Sequence, residues 1–206
     1  METSDQRLLR GMRSRQVVTA RAVDIASIDG LENLSFGRLA DDLGLSKAGI
    51  QTLFRTKEKL QLATIEAAER AFVDAVVLPA RRRPRGLAQL RALIEQWLDY
   101  VGEPLFAGGC FWGANLPEFD SKPGPVRDAL VAQRRQWLGI IAAELRQAVA
   151  NREIAPIDID LTAFQINAVL TAANIELRLG DTAAVSMVHR AIDAILARRT
   201  ESHVHA

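Results

Sequence analysis

Apolar residues in the first third of the chain recur at helical spacing, and turn residues divide them into short segments. Ser35, Ser46 and Thr56 each precede such a segment and can cap a helix there. Gly44 permits a tight turn between two of the segments, and Pro79 ends the last one. We therefore expect helices over residues 13–27, 36–43, 47–54 and 57–78.

The second and third of these predicted helices are short and separated by a few residues, which is the arrangement of a helix-turn-helix. The second helix of such a pair has the diameter to enter the major groove of DNA. The inward positions of the pair are apolar: Leu39, Ala40, Leu43, Leu45, Ile50 and Phe54. The outward positions of the second helix are small or polar: Lys47, Ala48, Gly49, Gln51 and Thr52. An αα-hairpin buried in a larger helical protein is the alternative.

The remainder of the chain also has helical periodicity, which predicts an all-α protein. Pro79, Pro84 and Gly86 interrupt this periodicity within the arginine-rich linker PARRRPRGL at residues 79–87. Further helices are expected near residues 85–101, 125–151, 158–180 and 182–198. We interpret the chain as an N-terminal helix-turn-helix domain (1–56), a connecting helix (57–80) and a second helical domain (81–206).

Composition limits the class of protein further. The chain has 206 residues, of which 49% are hydrophobic and 25% charged, as in an ordinary globular protein. A single cysteine, Cys110, excludes an internal disulfide and a multi-cysteine zinc site. No segment approaches the apolar length of a membrane span, and the first residues lack the apolar stretch of a signal peptide. We expect a soluble, cytoplasmic protein with no membrane partner.

Positive charge is concentrated near the start of the chain, although the formal net charge is only +1. At the beginning of the first predicted helix, Arg13 and Arg15 can add phosphate or minor-groove contacts to DNA. A solvated basic helix start is the alternative. The arginines of this arm, which has no acidic residue among them, are Arg7, Arg10, Arg13, Arg15 and Arg21.

Residues 13–60, and above all the stretch FGRLADDLGLSKAGIQTLFRTKEKL, resemble the N-terminal DNA-binding domain of the TetR family of bacterial transcriptional repressors. Phe54 and the TKEKL that opens the connecting helix belong to this resemblance. Gln51 and Leu53 depart from it, because the family often has tyrosine and histidine at these positions. Gln51 can still reach a phosphate or an adenine edge. The resemblance implies a DNA-binding regulator.

The resemblance also implies a division of roles among these residues. Ser35 and Lys57 would hold phosphates at two helix N-termini, where free N–H groups favour an anion. Lys47 and Gln51 would reach base edges, while the small residues beside them let the backbone approach. The expected DNA-binding residues are Ser35, Ser46, Lys47, Ala48, Gly49, Gln51, Thr52 and Lys57, together with Arg13 and Arg15.

Residues 81–206 would then be the ligand-binding and dimerisation domain of the family. The helix expected over residues 158–180 has two apolar rows, so it must be covered on two sides. One row is Leu161, Phe164, Ala168, Ala172, Ile175 and Leu179, and the other is Ile166, Leu170, Ala173 and Leu177. In the family the last two helices pair with those of a second subunit as a four-helix bundle, which predicts a homodimer. An ordinary monomer core is the alternative.

Aromatic residues are concentrated in FAGGCFWGANLPEFDSKPGPV at residues 106–126, although only 5% of the chain is aromatic. Such a concentration is typical of the wall of a pocket, here for an unidentified small-molecule effector. The candidate ligand-binding residues are Trp97, Phe106, Cys110, Phe111, Trp112, Asn115, Trp137, Asn167, Thr171 and Asn174. The alternative is that the aromatic residues fill the core and the polar ones face water or the partner subunit.

Catalytic motifs are not found in the sequence. It has no H-E-x-x-H, G-x-S-x-G, P-loop or dinucleotide fingerprint, and no pattern indicates a metal or a cofactor. Two of its three histidines, His203 and His205, lie in the C-terminal tail ESHVHA. We interpret the chain as a ligand-responsive repressor that binds a palindromic operator as a homodimer, and not as an enzyme. A helical small-molecule-binding or adaptor protein without DNA-binding activity is the alternative.

Overall fold

The computed structural model describes residues 4–197, with side chains from residue 11 onward, and no strand occurs in this part of the chain. The predicted all-α class is confirmed. The side chains of Arg7 and Arg10, and the whole of His203 and His205, lie outside the described residues. The main helices between residues 4 and 197 are α1 (Ser4–Asp29), α2 (Phe36–Leu43), α3 (Lys47–Phe54), α4 (Lys57–Phe72), α5 (Leu87–Gly102), α6 (Phe111–Phe119), α7 (Pro125–Ala150), α8 (Ile159–Arg178) and α9 (Ala184–Ala197).

Helices α2 and α3 begin and end where the sequence predicts because side-chain and glycine caps define their ends. The hydroxyl oxygens of Ser35, Ser46 and Thr56 each accept a hydrogen bond of 3.1–3.2 Å from the backbone N–H three residues further along. Gly44 ends α2 in the left-handed conformation, with φ 63°. These caps fix the start of α2, α3 and α4.

Apolar side chains of α1 to α4 form a common core around the helix-turn-helix. Leu39, Ile50 and Phe54 are at most 1% exposed, so the inward face predicted for α2 and α3 is largely confirmed. Leu43 is half-buried, and Leu45, which follows the turn at Gly44, is 44% exposed. Each of these buried side chains contributes about 1.5–3 kcal/mol to the hydrophobic free energy that holds α3 against α1 and α4.

Helix α1 begins at Ser4, well before the predicted start at residue 13. Arg13 and Arg15 therefore lie inside the helix and not at its start. The residues before them include leucine, arginine and glutamine, which favour helix, and Gly11 is tolerated within it. The helical propensity of these residues extends α1 towards the N-terminus, beyond the part that has a periodic apolar face.

Helix α4 is followed by a wider π-helical turn, Val73–Val77, and a last helical turn, Leu78–Ala80. The sequence places a helix to residue 78 and a break at Pro79. Proline has no N–H to donate and its ring crowds the preceding turn, so a widened turn before it is a common accommodation. The backbone stays helical to Ala80 instead of stopping before the proline.

Helix α6 was not predicted, because its buried face is short and contains a polar residue. Phe111, Asn115 and Phe119 are buried at helical spacing, and Asn115 takes the position where an apolar residue would have marked the pattern. Pro117 lies inside the helix and weakens the helical signal of the sequence further. The segment predicted as a pocket wall is therefore partly a helix.

The chain forms two compact units that do not follow chain order. Unit 1 contains residues up to 72 and residues 104–133, and unit 2 contains residues 73–103 and those from 134 onward. Residues 104–133 belong to unit 1 because they are hydrogen-bonded to the end of α1. The N–H of Gly108 donates to the hydroxyl of Ser27 at 2.8 Å, and a side chain at Gly108 would overlap the carbonyl of Ser27.

Candidate nucleic-acid interface

The outer face of α3 is exposed and carries the residues expected to read base edges. Lys47, Gln51 and Thr52 are exposed, as are the small residues Ala48 and Gly49. The hydroxyl of Thr52 donates to the carbonyl of Ala48 at 2.8 Å, so its proton is used within the helix while its oxygen can still accept. The side chains free to reach a ligand from this face are those of Lys47 and Gln51.

Three of the predicted residues line one cavity in unit 1. Ser35, Lys47 and Lys57 surround a space of about 300 Å³ together with apolar residues of α2 and α4. Ser35 stands at the N-terminus of α2, and Lys57 is the first residue of α4. Unpaired N–H groups and the helix dipoles add positive potential at both ends. The cavity therefore has the chemistry of an anion site beside α3.

Lys57 is held in place by the 3₁₀ turn that follows α1. Its ammonium donates to the carbonyl of Glu32 and lies 3.4 Å from the Glu32 carboxylate. The same carboxylate is 3.4 Å from the ammonium of Lys122. Both partners of the Lys57 pair are more than 40% exposed, so the ion pair contributes only about 0–1 kcal/mol. A phosphate could replace this carboxylate at little cost.

Arg15 contacts the end of α3. Its Nη1 donates to the carbonyl of Leu53 at 3.1 Å, and its guanidinium lies 4.6 Å from the centre of the Phe54 ring. A cation at the C-terminus of a helix is favoured by the helix dipole, and one over an aromatic face adds a cation–π contact. Arg15 therefore braces α3 from α1, whereas Arg13 is exposed on α1.

A tight turn at Arg55 joins α3 to α4, and the sequence carried no sign of it. Arg55 has φ 64° and ψ −50°, and the N–H of Thr56 donates to the carbonyl of Phe54 at 2.8 Å. These angles and this bond define a γ-turn with positive φ, which is rare and strained for a residue with a side chain. The turn brings the cap of α4 directly after α3.

The ten residues predicted to bind an effector are divided equally between the two units. Those in unit 1 are Phe106, Cys110, Phe111, Trp112 and Asn115, and those in unit 2 are Trp97, Trp137, Asn167, Thr171 and Asn174. Cys110 is half-buried at the N-terminus of α6. Ring contacts join Phe106, Phe111 and Trp112 in unit 1, whereas in unit 2 a hydrogen bond along one helix joins Thr171 to Asn167.

Asn115 uses its amide to tie α6 to the end of α1. Its Oδ1 accepts from the N–H of Leu31 at 2.7 Å. Its Nδ2 donates to the carbonyls of Ala26 at 3.1 Å and Phe111 at 2.7 Å. The side chain is fully buried. Asn115 therefore supports the fold at this place, because its donors and one acceptor position are occupied by backbone groups.

Phe72, Phe106, Phe111 and Trp112 of unit 1 form a continuous cluster of rings. Edge-to-face contacts join Trp112 to Phe111 at 5.6 Å and to Phe72 at 5.1 Å between ring centres. The indole N–H of Trp112 donates to the amide oxygen of Gln133 at 2.9 Å, and the amide nitrogen of Gln133 donates to Glu69 at 2.9 Å. Glu69, Phe72 and Gln133 were not predicted to contact this cluster. The helical spacing of apolar residues in α4 indicates that Phe72 is buried, and the sequence gives no signal for the other two.

The candidate residues in unit 2 differ in burial. Trp97 is buried in α5, with 4% exposure, and Trp137 is half-buried on α7. Asn167 and Asn174 are half-buried on α8, and the exposed Thr171 donates to the carbonyl of Asn167 at 2.8 Å. This bond leaves the Thr171 oxygen as an acceptor only.

Helix α8 has one buried and one exposed apolar row. In the row that contains Ile166 and Leu170, Leu170 is 1% exposed and packs within the unit. In the row that contains Phe164, the side chains of Phe164 and Ile175 are each 55% exposed and that of Leu179 is 77% exposed. A row of large apolar side chains at helical spacing on an exposed face is typical of a helix that pairs with another molecule.

Comparison with protein families identifies the chain. The model of the family described as tetracyclin repressor-like, C-terminal domain, matches residues 86–192, which is just over half of the chain. The chain belongs to the TetR family of transcriptional regulators. A comparison with curated proteins found no match.

Solved structures of TetR regulators share the fold. A regulator from Chloroflexus aurantiacus J-10-FL is 23% identical with a TM-score of 0.80, and the match covers 91% of this chain and 94% of that one. A TetR-family regulator from Streptomyces coelicolor is 20% identical with a TM-score of 0.76, and the match covers 95% of each chain. AibR, in complex with isovaleryl coenzyme A and operator DNA, is 18% identical with a TM-score of 0.68, over 85% of this chain and 96% of AibR.

Family membership gives the protein its general role as a ligand-responsive, DNA-binding transcriptional regulator. TetR regulators typically act as dimers and are generally not enzymes. In the portion of the chain that is described, no helix combines the length and apolarity needed to cross a bilayer. Across that same portion, acidic residues, histidines and Cys110 form no cluster suited to a metal ion.

Proposed function

We propose that this TetR regulator is a repressor that binds a palindromic operator as a homodimer and changes its affinity for DNA when a small molecule binds. The observation that supports this most directly is the cavity shared by Ser35, Lys47 and Lys57 beside the exposed face of α3. It combines two helix N-termini with two ammonium groups, and each of these groups favours a bound phosphate.

Within this proposal the DNA-binding residues have two tasks. Ser35 and Lys57 position the protein by holding phosphates, and Lys57 exchanges its exposed carboxylate partner for a phosphate oxygen. Lys47 and Gln51 on the exposed face of α3 reach base edges and give specificity. Arg15 acts through α3, because its guanidinium is bonded to the end of that helix.

The proposed dimer forms through α8 and α9. The exposed row of α8 that includes Phe164, Ile175 and Leu179 would pair with its copy in a second subunit, and Met187 of α9, 57% exposed, extends the apolar surface. Burial of such a row removes a large apolar area from water, which favours association. Two-fold symmetry of the protein then requires two matched half-sites in the operator.

We also propose an apolar effector of moderate size that binds near the aromatic residues of the predicted set. The Trp112 cluster offers aromatic surface, and the Gln133 and Glu69 side chains beside it offer polar groups that could orient a ligand. AibR, which shares the fold, is seen with an acyl coenzyme A, so a ligand with an apolar chain has a precedent among similar folds. A ligand of this kind should quench tryptophan fluorescence and shift operator affinity by about 1–3 kcal/mol.

A gel-shift assay on DNA from the promoter of this chain's own gene tests the proposal, with footprinting of the bound fragment. We expect a saturable complex on that fragment that survives an excess of random-sequence DNA, and a protected site with dyad symmetry. The protected halves should be centred about 34 Å apart along the helix axis, or a multiple of it. Binding no tighter than to random DNA, or a protected site without dyad symmetry, would contradict the proposal.

A further inference from the structure

A basic groove in unit 2 shares no residue with the DNA-binding set or with the predicted effector set. The groove encloses about 600 Å³ along the exposed face of α5. Arg82 and Arg83 of the preceding linker and Arg91 of α5 line it. A volume of this size is in the range of about 300–1,000 Å³ that holds a coenzyme-sized or drug-sized ligand, and it exceeds what one inorganic phosphate fills.

The linker is folded against α5 and places its arginines there. The N–H of Arg82 donates to the carbonyl of Pro79 at 3.2 Å, and the N–H of Arg83 donates to the carbonyl of Ala80 at 3.0 Å. Pro79 also lines the groove, and its ring restricts the backbone at the start of this turn. The turn therefore fixes two consecutive arginines at one edge of the groove.

Positive charge exceeds negative charge in the groove. Within residues 11–197 no carboxylate pairs with Arg82 or Arg83. Arg91 is 2.8 Å from the Asp193 carboxylate, but both side chains are about half exposed, so solvent screens this pair. Glu95 is the carboxylate that lines the groove, and its oxygen lies 3.4 Å from Nδ1 of His189. Three guanidinium groups thus line the groove with one carboxylate, and two of the three have no carboxylate partner among the side chains described.

The arrangement suits a chain of phosphates with a flat polar group at one end. Guanidinium groups bind phosphate oxygens in pairs of parallel hydrogen bonds, and three of them along a groove match more than one phosphate. Ala88 and Ala92 expose only methyl groups to the groove, which leaves a smooth surface for a ring. Gln96 lies further along α5; its Nε2 donates to the Asp99 carboxylate at 3.3 Å, which leaves its second N–H and its oxygen for a ligand.

We propose that this groove binds a nucleotide with at least two phosphates. The phosphates lie against Arg82, Arg83 and Arg91, the base rests on Ala88 and Ala92, and the edge of the base bonds to Gln96. This site is separate from the helix-turn-helix and goes beyond the proposed repressor function, since it gives the regulator a second input with phosphate chemistry.

Calorimetry on the full chain without DNA, at low salt, tests the ligand class with ADP, adenosine and inorganic tripolyphosphate as probes. We expect ADP to bind at least about tenfold more tightly than adenosine, because adenosine lacks the charged groups. We also expect ADP to exceed tripolyphosphate, because the base contributes. No binding of ADP would overturn the proposal, and equal binding of ADP and tripolyphosphate would overturn its nucleotide part.

Variants locate the site. Arg82→Gln combined with Arg83→Gln should lower ADP affinity about tenfold or more, since each lost guanidinium removes charge-assisted hydrogen bonds. Arg81→Gln is the matched control, because Arg81 is exposed in the same linker but does not line the groove. It should change the affinity by no more than about twofold. An equal loss in the control would show a diffuse charge effect and contradict the proposal.

Lys57→Ala separates this site from the DNA-binding cavity. ADP affinity should be unchanged in this variant, and operator binding should be unchanged in the Arg82/Arg83 double variant. If ADP binding fell in Lys57→Ala, or operator binding fell with the double variant, the groove would be part of the DNA surface and not a nucleotide site. The gel shifts that test repressor function are run without nucleotide. Their result therefore does not depend on whether ADP binds.

Discussion

Single residues near α3 show that basic side chains on one surface can have different roles. Arg15 and Lys57 were both expected to contact DNA, yet each already has protein partners. Arg15 donates to the last turn of α3, whereas Lys57 holds an exposed carboxylate that solvent screens. The type of residue therefore indicated a basic surface, but the contacts of each side chain determine whether it can exchange its partner for a phosphate or instead holds α3 in place.

Arg55→Gly should stabilise the protein by about 0.5–1 kcal/mol. The positive φ of 64° is strained for any residue that has a Cβ atom, and glycine avoids this strain. The greater conformational entropy of glycine in the unfolded chain offsets part of the stabilisation. Urea denaturation followed by circular dichroism measures the change. Arg55→Ala removes the same side chain but keeps the Cβ, so it should give no gain. Equal stabilisation by both variants would assign the effect to the arginine side chain.

Lys57→Ala and Lys47→Ala should weaken operator binding in different ways. Lys57→Ala should reduce affinity for all sequences and lower the slope of log affinity against log salt by about 1, because a phosphate contact is lost. Lys47→Ala should also reduce the preference for operator over random DNA, at a cost of about 1–3 kcal/mol. Titrations on both DNAs at several salt concentrations separate the two effects. Equal losses on both DNAs for both variants would contradict this division.

At the scale of elements, the sequence predicted the helix ends that local caps define, but it did not predict the start of α1 or any part of α6. Ser35, Gly44 and Ser46 gave the ends of α2 and α3 correctly because local hydrogen bonds determine them. The start of α1 was missed because helical propensity carries it past its apolar face. Helix α6 was missed because Asn115 occupies a core position, and only tertiary contacts with α1 show that its amide is satisfied there.

Asn115→Ala should destabilise the protein by about 2–3 kcal/mol. The substitution leaves the buried N–H of Leu31 without its acceptor and removes the two hydrogen bonds that the amide donates to the carbonyls of Ala26 and Phe111. Chemical denaturation measures the loss. Glu118→Gln is the control on the same helix, since its carboxylate accepts from the exposed N–H of Glu32 at 3.3 Å and should cost less than about 0.5 kcal/mol. Similar losses in the two variants would argue against a special role for the buried amide.

For the whole molecule, the pattern of one sequence predicts neither the division into two units nor which face of α8 is exposed. The two apolar rows of α8 indicated that both sides are covered, but not which row packs within the protomer. Leu170 of α8 and Ile192 of α9 lie on apolar rows whose spacing would also suit a dimer interface, but each is 1% exposed within the protomer. Charges at these two positions would therefore disrupt the protomer itself, and they cannot test how two copies associate.

Phe164→Glu combined with Ile175→Glu should instead give a folded monomer that no longer holds the operator tightly. Both side chains are 55% exposed, so the protomer can accept the charges, whereas a dimer that buried them unpaired would lose several kcal/mol. Analytical ultracentrifugation gives the mass, circular dichroism checks the helices, and gel shifts report affinity. Met12, 54% exposed on α1, supplies the control Met12→Glu, which should leave the mass unchanged. If the double variant sediments as a dimer with operator binding intact, the two copies associate through another surface.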